Sequence, residues 1–174
     1  MKPPRRIVTG FANGRSRIDT VDDGGAFLAT GGGGGIHEIW SSTAVLPVGE
    51  REKDGTCPAF SPGPGGSSCR LVRIPPDAER WADPEAAAHT AAAIGKERPA
   101  HWMERHPGMH VTPTLDYVLV LEGAVVAVME DGEVSLAAGD VLVQRQTPHA
   151  WKNPGTAPAL LFVTMIGLRE PLPA

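Results

Sequence analysis

The sequence predicts an all-β protein, a closed antiparallel barrel or jelly roll with one short helix ahead of the core strands. Three observations carry this. Beyond Pro99 the chain breaks into short β-rich segments, LDYVLVLEG, AVVAVME, EVSLAAGD, VLVQRQ and ALLFVTMIGL, separated by turn residues. Asn13-Gly14 and Asp131-Gly132 are two-residue hairpin signals, since each pair tolerates the positive φ of a tight turn. Only Pro84 to Ile94 reads as a good helix, and strands never alternate with helices as a parallel sheet requires.

Bulk properties bound the function. A chain of 174 residues, 41% hydrophobic and 21% charged, is expected to form a single soluble domain. Residues 1–98 would supply N-terminal strands, a Gly/Pro-rich loop and the helix; residues 99–170 would form the barrel core. Aromatics are sparse at 5%, so Val, Ile, Leu and Met must fill that core. A net charge of −4, with no Lys/Arg cluster after the opening MKPPRR, argues against a nucleic-acid partner. No apolar run follows that opening, and none of about 20 residues occurs anywhere, so the expected setting is the cytoplasm, away from membranes. Cys57 and Cys69 lack CxxC spacing and read as free thiols, with a loop-closing disulfide as the oxidised alternative.

The N-terminal elements follow from local chemistry. Ile7 to Thr20 is expected to be a hairpin around Asn13-Gly14. The glycines Gly31 to Gly35 lack the following Lys and Ser/Thr of a phosphate loop, so they read as a flexible loop feeding a strand over Ile36 to Trp40. Pro47 to Ser68 reads as a surface excursion or lid, and Arg70 to Ile74 as a short strand stopped by Pro75-Pro76. Asp83 is a natural cap for the helix, with Pro84 at its first position, Glu85 in its first turn and Gly95 as its stop. His89 is expected to be an ordinary mid-helix residue.

The chemistry-bearing stretch is His110 to Asn153. Strand residues two apart share a face, so His110, Thr112, Thr114 and Asp116 project together, and His149 carries Trp151 and Asn153 on its own parity. If the two segments are neighbours, His110, Asp116 and His149 can meet. Two imidazoles and a carboxylate suit Fe(II), and also Mn, Zn, Ni or Co, and leave positions open for water or substrate. A lone strand histidine is more commonly a hydrogen-bonded structural group, so parity needs independent support.

That support is a resemblance. The two segments resemble the paired motifs of the cupin superfamily, G(X)5HXH(X)3,4E(X)6G and G(X)5PXG(X)2H(X)3N. His110, Asp116 and Gly123 fall at the first His, the Glu and the closing Gly; Gly139, His149 and Asn153 fall at the second motif's Gly, His and Asn. The wider pattern HPGMHxTxTxDY…GDVxVQRxTxHAWxN resembles small bacterial and fungal single-domain cupins over residues 104–168. The resemblance implies a double-stranded β-helix, a divalent transition metal on His110, Asp116 and His149, and a small organic molecule as ligand. It also implies a homodimer formed through N-terminal strands. Departures are explicit. Thr112 replaces the second histidine, Asp116 the Glu and Glu104 the leading Gly, and Arg145-Gln146-Thr147-Pro148 replaces the PXG turn. A His3Glu site is therefore excluded, and a three-ligand site is expected.

Around that site, Thr112, Thr114, Gln144, Trp151, Tyr117, Met109 and Trp102 are expected pocket residues, with Trp40 and Met103 near a barrel mouth. Gln144 and Arg145 alternate, and the resemblance puts Gln144 inward. His106 is the expected acid/base group. Two functions follow: a metal-dependent isomerase, lyase or decarboxylase, or dioxygenase; or a non-catalytic ligand-binding or sensor barrel that has lost its metal. A structural partner subunit is a third class.

Overall fold

The computed structural model describes residues 3–23, 25–42, 60–94 and 98–168. Its strands, in chain order, are β1 (Arg6–Ala12), β2 (Arg15–Asp22), β3 (Ala26–Ala29), β4 (Gly35–Ser42), β5 (Ser67–Ile74), β6 (Thr114–Glu122), β7 (Ala124–Met129), β8 (Glu133–Ala137), β9 (Val141–Arg145), β10 (His149–Lys152) and β11 (Ala159–Gly167). Three helices, α1 (Asp77–Arg80), α2 (Pro84–Ile94) and α3 (Ala100–Arg105), lie between β5 and β6.

All described strand pairings are antiparallel. A six-stranded sheet runs β3-β4-β5-β11-β6-β9 and a three-stranded sheet runs β10-β7-β8. Between them lies the main core: Ile74, Val118, Val120, Val125, Ala127, Leu136, Ala159, Leu161, Val163 and Met165. These are alternate residues of facing strands, the pattern that two packed sheets need. Strand β7 is buried on both faces. Val125 and Ala127 enter the main core, while Val126 and Val128 pack with Met109, Ala150 and Trp102 under α3. That is why AVVAVM is a continuous apolar run and not an alternating one. The fold is the expected all-β jelly roll.

The hairpin around Asn13-Gly14 forms as β1–β2, with φ of 52° and 70° at the two turn residues. The helix cap also forms: the Glu85 N–H donates to Asp83 Oδ1 at 2.9 Å. Other expectations need correction. Pro84–Ile94 is one of three helices; Ala100–Arg105 is helical although the sequence beyond Pro99 reads as strand. That segment packs on the three-stranded sheet through Trp102, and its Ala, Met, Glu and Arg are good helix formers. Strand β5 begins at Ser67, three residues before the expected start, because it pairs along its length with β11. The glycine run is a 3-10 turn, Gly31–Gly33, closed by the Gly34 N–H on the Gly31 carbonyl at 3.2 Å. Gly32 has φ of +65°, and a Cβ there would stand 2.7 Å from Arg80 Cα. The run therefore serves a close backbone approach to α1. Most of the expected excursion, Cys57, and the helix stop at Gly95 lie outside the described residues. Cys69 is a half-buried free thiol. Among the described residues no helix is long and apolar enough to cross a membrane.

Candidate functional site

His110 and His149 are brought together by backbone pairing. Each donates its N–H to the other's carbonyl at 2.9 Å, an isolated antiparallel bridge between the approach to β6 and the start of β10. Their ring centroids stand 4.4 Å apart. The expected continuous strand from His110 to Asp116 is corrected, since β6 starts only at Thr114, after Pro113. Pro113 has no N–H to give a ladder, so the bridge at His110 is isolated. The convergence survives this: His110, Thr112, Asp116, His149 and Trp151 all line one cavity of about 80 Å³ inside the barrel.

Both imidazoles are oriented by backbone carbonyls. His110 Nδ1 lies 2.8 Å from the Gly108 oxygen, and His149 Nδ1 lies 2.9 Å from the Thr147 oxygen. A carbonyl only accepts, so Nδ1 carries the proton in each ring and Nε2 keeps its lone pair. Neither Nε2 has a hydrogen-bond partner among the described residues. Burial pushes both rings below the ordinary histidine range, His110 to about 3, where the adjacent His149 adds to the effect. At neutral pH the site thus holds two neutral, ligand-ready imidazoles.

Asp116 lines the same cavity from β6. Its Oδ1 is buried without a hydrogen-bond partner. Burial raises its carboxyl to about 6, against the smaller downward pulls of the Thr114 hydroxyl and Arg70. Thr112, at the position of the missing histidine, instead shares a 2.7 Å hydrogen bond with Thr114. The donors fit a metal in part. The two imidazoles have the tautomer a ligand needs and the carboxylate has an orphaned oxygen. Yet among the described residues no three His, Cys, Asp or Glu side chains are grouped as one ion's donor set.

The remaining expected residues sort by burial. Trp151 lines the cavity, half-buried, with its ring edge-on to His149 at 5.9 Å. Gln144 is buried as expected, but it spans its own turn through bonds from Nε2 to the Thr147 carbonyl and hydroxyl; Arg145 is exposed. The next residue, Gln146, takes φ of 50° in the turn that stands in place of PXG. Thr114 is fully buried beside Thr112 and does not line the cavity. Gln144 does not line the cavity either, and three further pocket expectations are corrected. Tyr117 is 45% exposed, because odd-numbered β6 residues face outward. Met109 is fully buried in the second cluster, and Trp102 packs there while its indole donates to Glu130 at 2.6 Å. His106 is also corrected: it lies outside the cavity lining. Its Nδ1 accepts from the Gly108 N–H at 2.9 Å, its Nε2 faces Asp77 at 3.4 Å, and its ring meets Trp81 edge-on. It holds the turn that presents the Gly108 carbonyl to His110. Asn153 is likewise a scaffold residue, donating to the Ile74 and Ala157 carbonyls.

The N-terminal half supplies what sequence reasoning missed. Thr30, Phe60, Arg70, Arg73, Arg80 and Thr90 all reach the cavity wall. Arg70 is clamped to Glu38 at 2.5 Å, both buried; burial raises the Glu38 carboxyl to about 7, opposed by Arg70. Phe60 meets the His110 ring edge-on at 5.1 Å. The legible signal was a charged residue on each of two neighbouring β-patterned segments, HEIW and RLVRI.

Residues 102–165 match the family model described as the cupin domain. Over 163 residues the chain is 28% identical to phomopsin biosynthesis cluster protein C′ of Diaporthe leptostromiformis, covering 88% of this chain and 72% of that protein. A shorter stretch of 66 residues is 33% identical to the cupin-domain-containing oxidoreductase srdD of Neurospora crassa, covering 36% of this chain and 34% of that protein. A solved cupin 2 conserved barrel domain protein from Salinispora arenicola is 10% identical, with a TM-score of 0.43 and 80% of each chain covered. The motif-bearing stretch lies within the residues that match the cupin domain and forms the wall of a jelly-roll barrel.

Proposed function

We propose that this chain is a metal-dependent cupin enzyme that processes a small organic molecule inside the barrel. The carrying observation is the histidine pair: both Nδ1–H groups are spent on carbonyls, and both Nε2 lone pairs are left at a cavity wall. His110 and His149 would hold a divalent transition metal (Fe, Mn, Zn, Ni or Co), with Asp116 as third ligand. When bound, such an ion supplies Lewis acidity toward a carbonyl or carboxylate, or activates dioxygen. The chain's own residues do the rest. The Gly108 and Thr147 carbonyls fix the imidazole tautomers and so leave both Nε2 atoms able to act as ligands. Isomerisation, lyase or decarboxylation chemistry and dioxygenation all fit such a centre; the name of the Neurospora crassa relative favours the oxidative branch. The test is metal analysis of protein purified without chelator, repeated on His149→Ala. Metal near one equivalent in the parent and loss of at least tenfold in the variant is expected; a metal-free parent, or unchanged metal in the variant, overturns the proposal.

The ungrouped third donor favours a second reading, a non-catalytic ligand-binding or sensor barrel. It predicts ligand-induced thermal stabilisation that is the same before and after chelation. We propose further that two copies pair through β1–β2. That hairpin forms a two-stranded sheet of its own, with Ile7, Ile18 and Val21 each more than half exposed, and a lone hairpin is marginal in water. Sedimentation at micromolar concentration should give twice the monomer mass; a monomer refutes it. Work in the cytoplasm, on neither nucleic acid nor membrane, completes the reading.

A further inference from the structure

Arg80 is a deeply buried cavity cation with no salt bridge among the described residues. It comes from α1, outside the residues that carry the family motifs, and is only 8% exposed. Arg70, by contrast, is paired with Glu38. Among the described residues Arg80 has no salt bridge. Its Nη1 donates to the Trp151 carbonyl at 3.0 Å, its guanidinium lies 4.6 Å from the Trp81 ring centroid, and its Nε is buried with no partner. Asp77, at the start of the same short helix, attracts it from a distance, but that carboxylate faces His106. Gly32 packs against the Arg80 backbone and fixes where the side chain departs.

A buried charged donor left unmade is costly, and one at a cavity wall is open to a ligand that completes it. The rest of the cavity says what kind. Much of its wall is apolar, from Ile36, Val72, Val118, Leu161, Val163 and Met165, and its volume of about 80 Å³ is small beside the ~300–1,000 Å³ of pockets for drug-sized ligands. A phosphate carries more charge than one unmatched guanidinium balances, whereas a carboxylate matches the parallel N–H donors of that fork. We propose that Arg80 receives the carboxylate of a small organic acid whose apolar body lies on the Val118–Leu161–Val163 wall. This rests on the reading of the cavity as the ligand site and names the substrate class it takes.

The experiment uses the full chain after chelation, so that no metal competes for the carboxylate. Propionate, isobutyrate and benzoate are titrated by calorimetry and thermal shift beside their amides. The acids should bind at least tenfold more tightly than the amides. Arg80→Gln should lose that preference by roughly 10- to 100-fold, while Arg145→Gln, at an exposed position outside the cavity, keeps it. Equal binding of acids and amides, no binding of any acid, or an undiminished preference in Arg80→Gln overturns the inference. Should Arg80→Gln fail to fold by circular dichroism, Arg80→Lys is titrated in its place: a preference absent from the parent, or undiminished in Arg80→Lys, overturns the inference. Metal content of the same batch before chelation separates this from the proposed chemistry. A metal-free parent that prefers acids overturns only the metal; a metal-bearing parent with no preference overturns only the acid.

Discussion

Two clusters of buried polar groups sit within the same barrel and obey opposite rules. On β4 and β5, Glu38 and Arg70 form a closed ion pair at 2.5 Å, with Arg70 also donating to the Phe60 carbonyl at 2.9 Å. At the cavity, His110, His149, Asp116 and Arg80 are equally buried, but each keeps a group with no protein partner. The first cluster sets opposite charges against each other, though Glu38 Oε1 is buried without a hydrogen-bond partner and burial raises that carboxyl too. The second holds no such salt bridge among the described residues, and burial raises a carboxyl and depresses two imidazoles. A matched opposite charge, and not burial or an unpartnered atom, is what separates the structural ion pair from the candidate site.

Breaking the closed pair should have the largest effect. Arg70→Met leaves Glu38 buried and alone, at a cost of roughly 3–5 kcal/mol at pH 8 in denaturant unfolding. The deficit should shrink as the pH falls and Glu38 takes up a proton. A loss below about 1 kcal/mol would mean that the pair contributes no more than a surface bridge does.

Relieving the open cluster should do the reverse. Asp116 has a folded-state pKa of about 6, above its ordinary 3.8, so the stability it contributes is complete below that lower value and is lost as pH rises through about 6. Asp116→Asn removes that loss and should stabilise the metal-free protein by about 1–3 kcal/mol at pH 8, with no gain below pH 4. The histidines have the opposite sign. Their depressed values contribute stability above about 6.5 that is lost as pH falls toward 3. Chemical denaturation across pH 4–8 checks both; a variant no more stable at pH 8 refutes the first.

The smallest effect should come from the other face of β6. Tyr117 is one residue from Asp116 but points outward, half exposed. Tyr117→Ser should move monomer stability by no more than about 0.5 kcal/mol and leave metal content unchanged. A change in metal content would return this residue to the site.

The barrel was readable because its signals are local. Turn pairs, short β-rich runs and the helix cap act through neighbouring residues, and the Asn13-Gly14 hairpin, α2 and the strands after Pro113 formed near their expected places. The helix at Ala100–Arg105 was missed although Ala, Met, Glu and Arg favour a helix, because six residues are too few to show a 3.6-residue period. Parity found His110, Asp116 and His149, because side-chain alternation is a property of the strand alone. Chain adjacency, which suggested Tyr117 and His106, failed: the first is the odd-face neighbour of a ligand candidate, and the second is held by Asp77 and Trp81.

The sequence by itself determined the all-β class, the two hairpin turns and the histidine–carboxylate set, each dictated by backbone preference or residue spacing. Only the tertiary structure decided that His110 and His149 face each other across a bridge, that Glu38 neutralises Arg70, and that Arg80 does not share that fate. Those pairings join residues that are dozens of positions apart, and no local preference encodes which of two buried arginines meets Glu38.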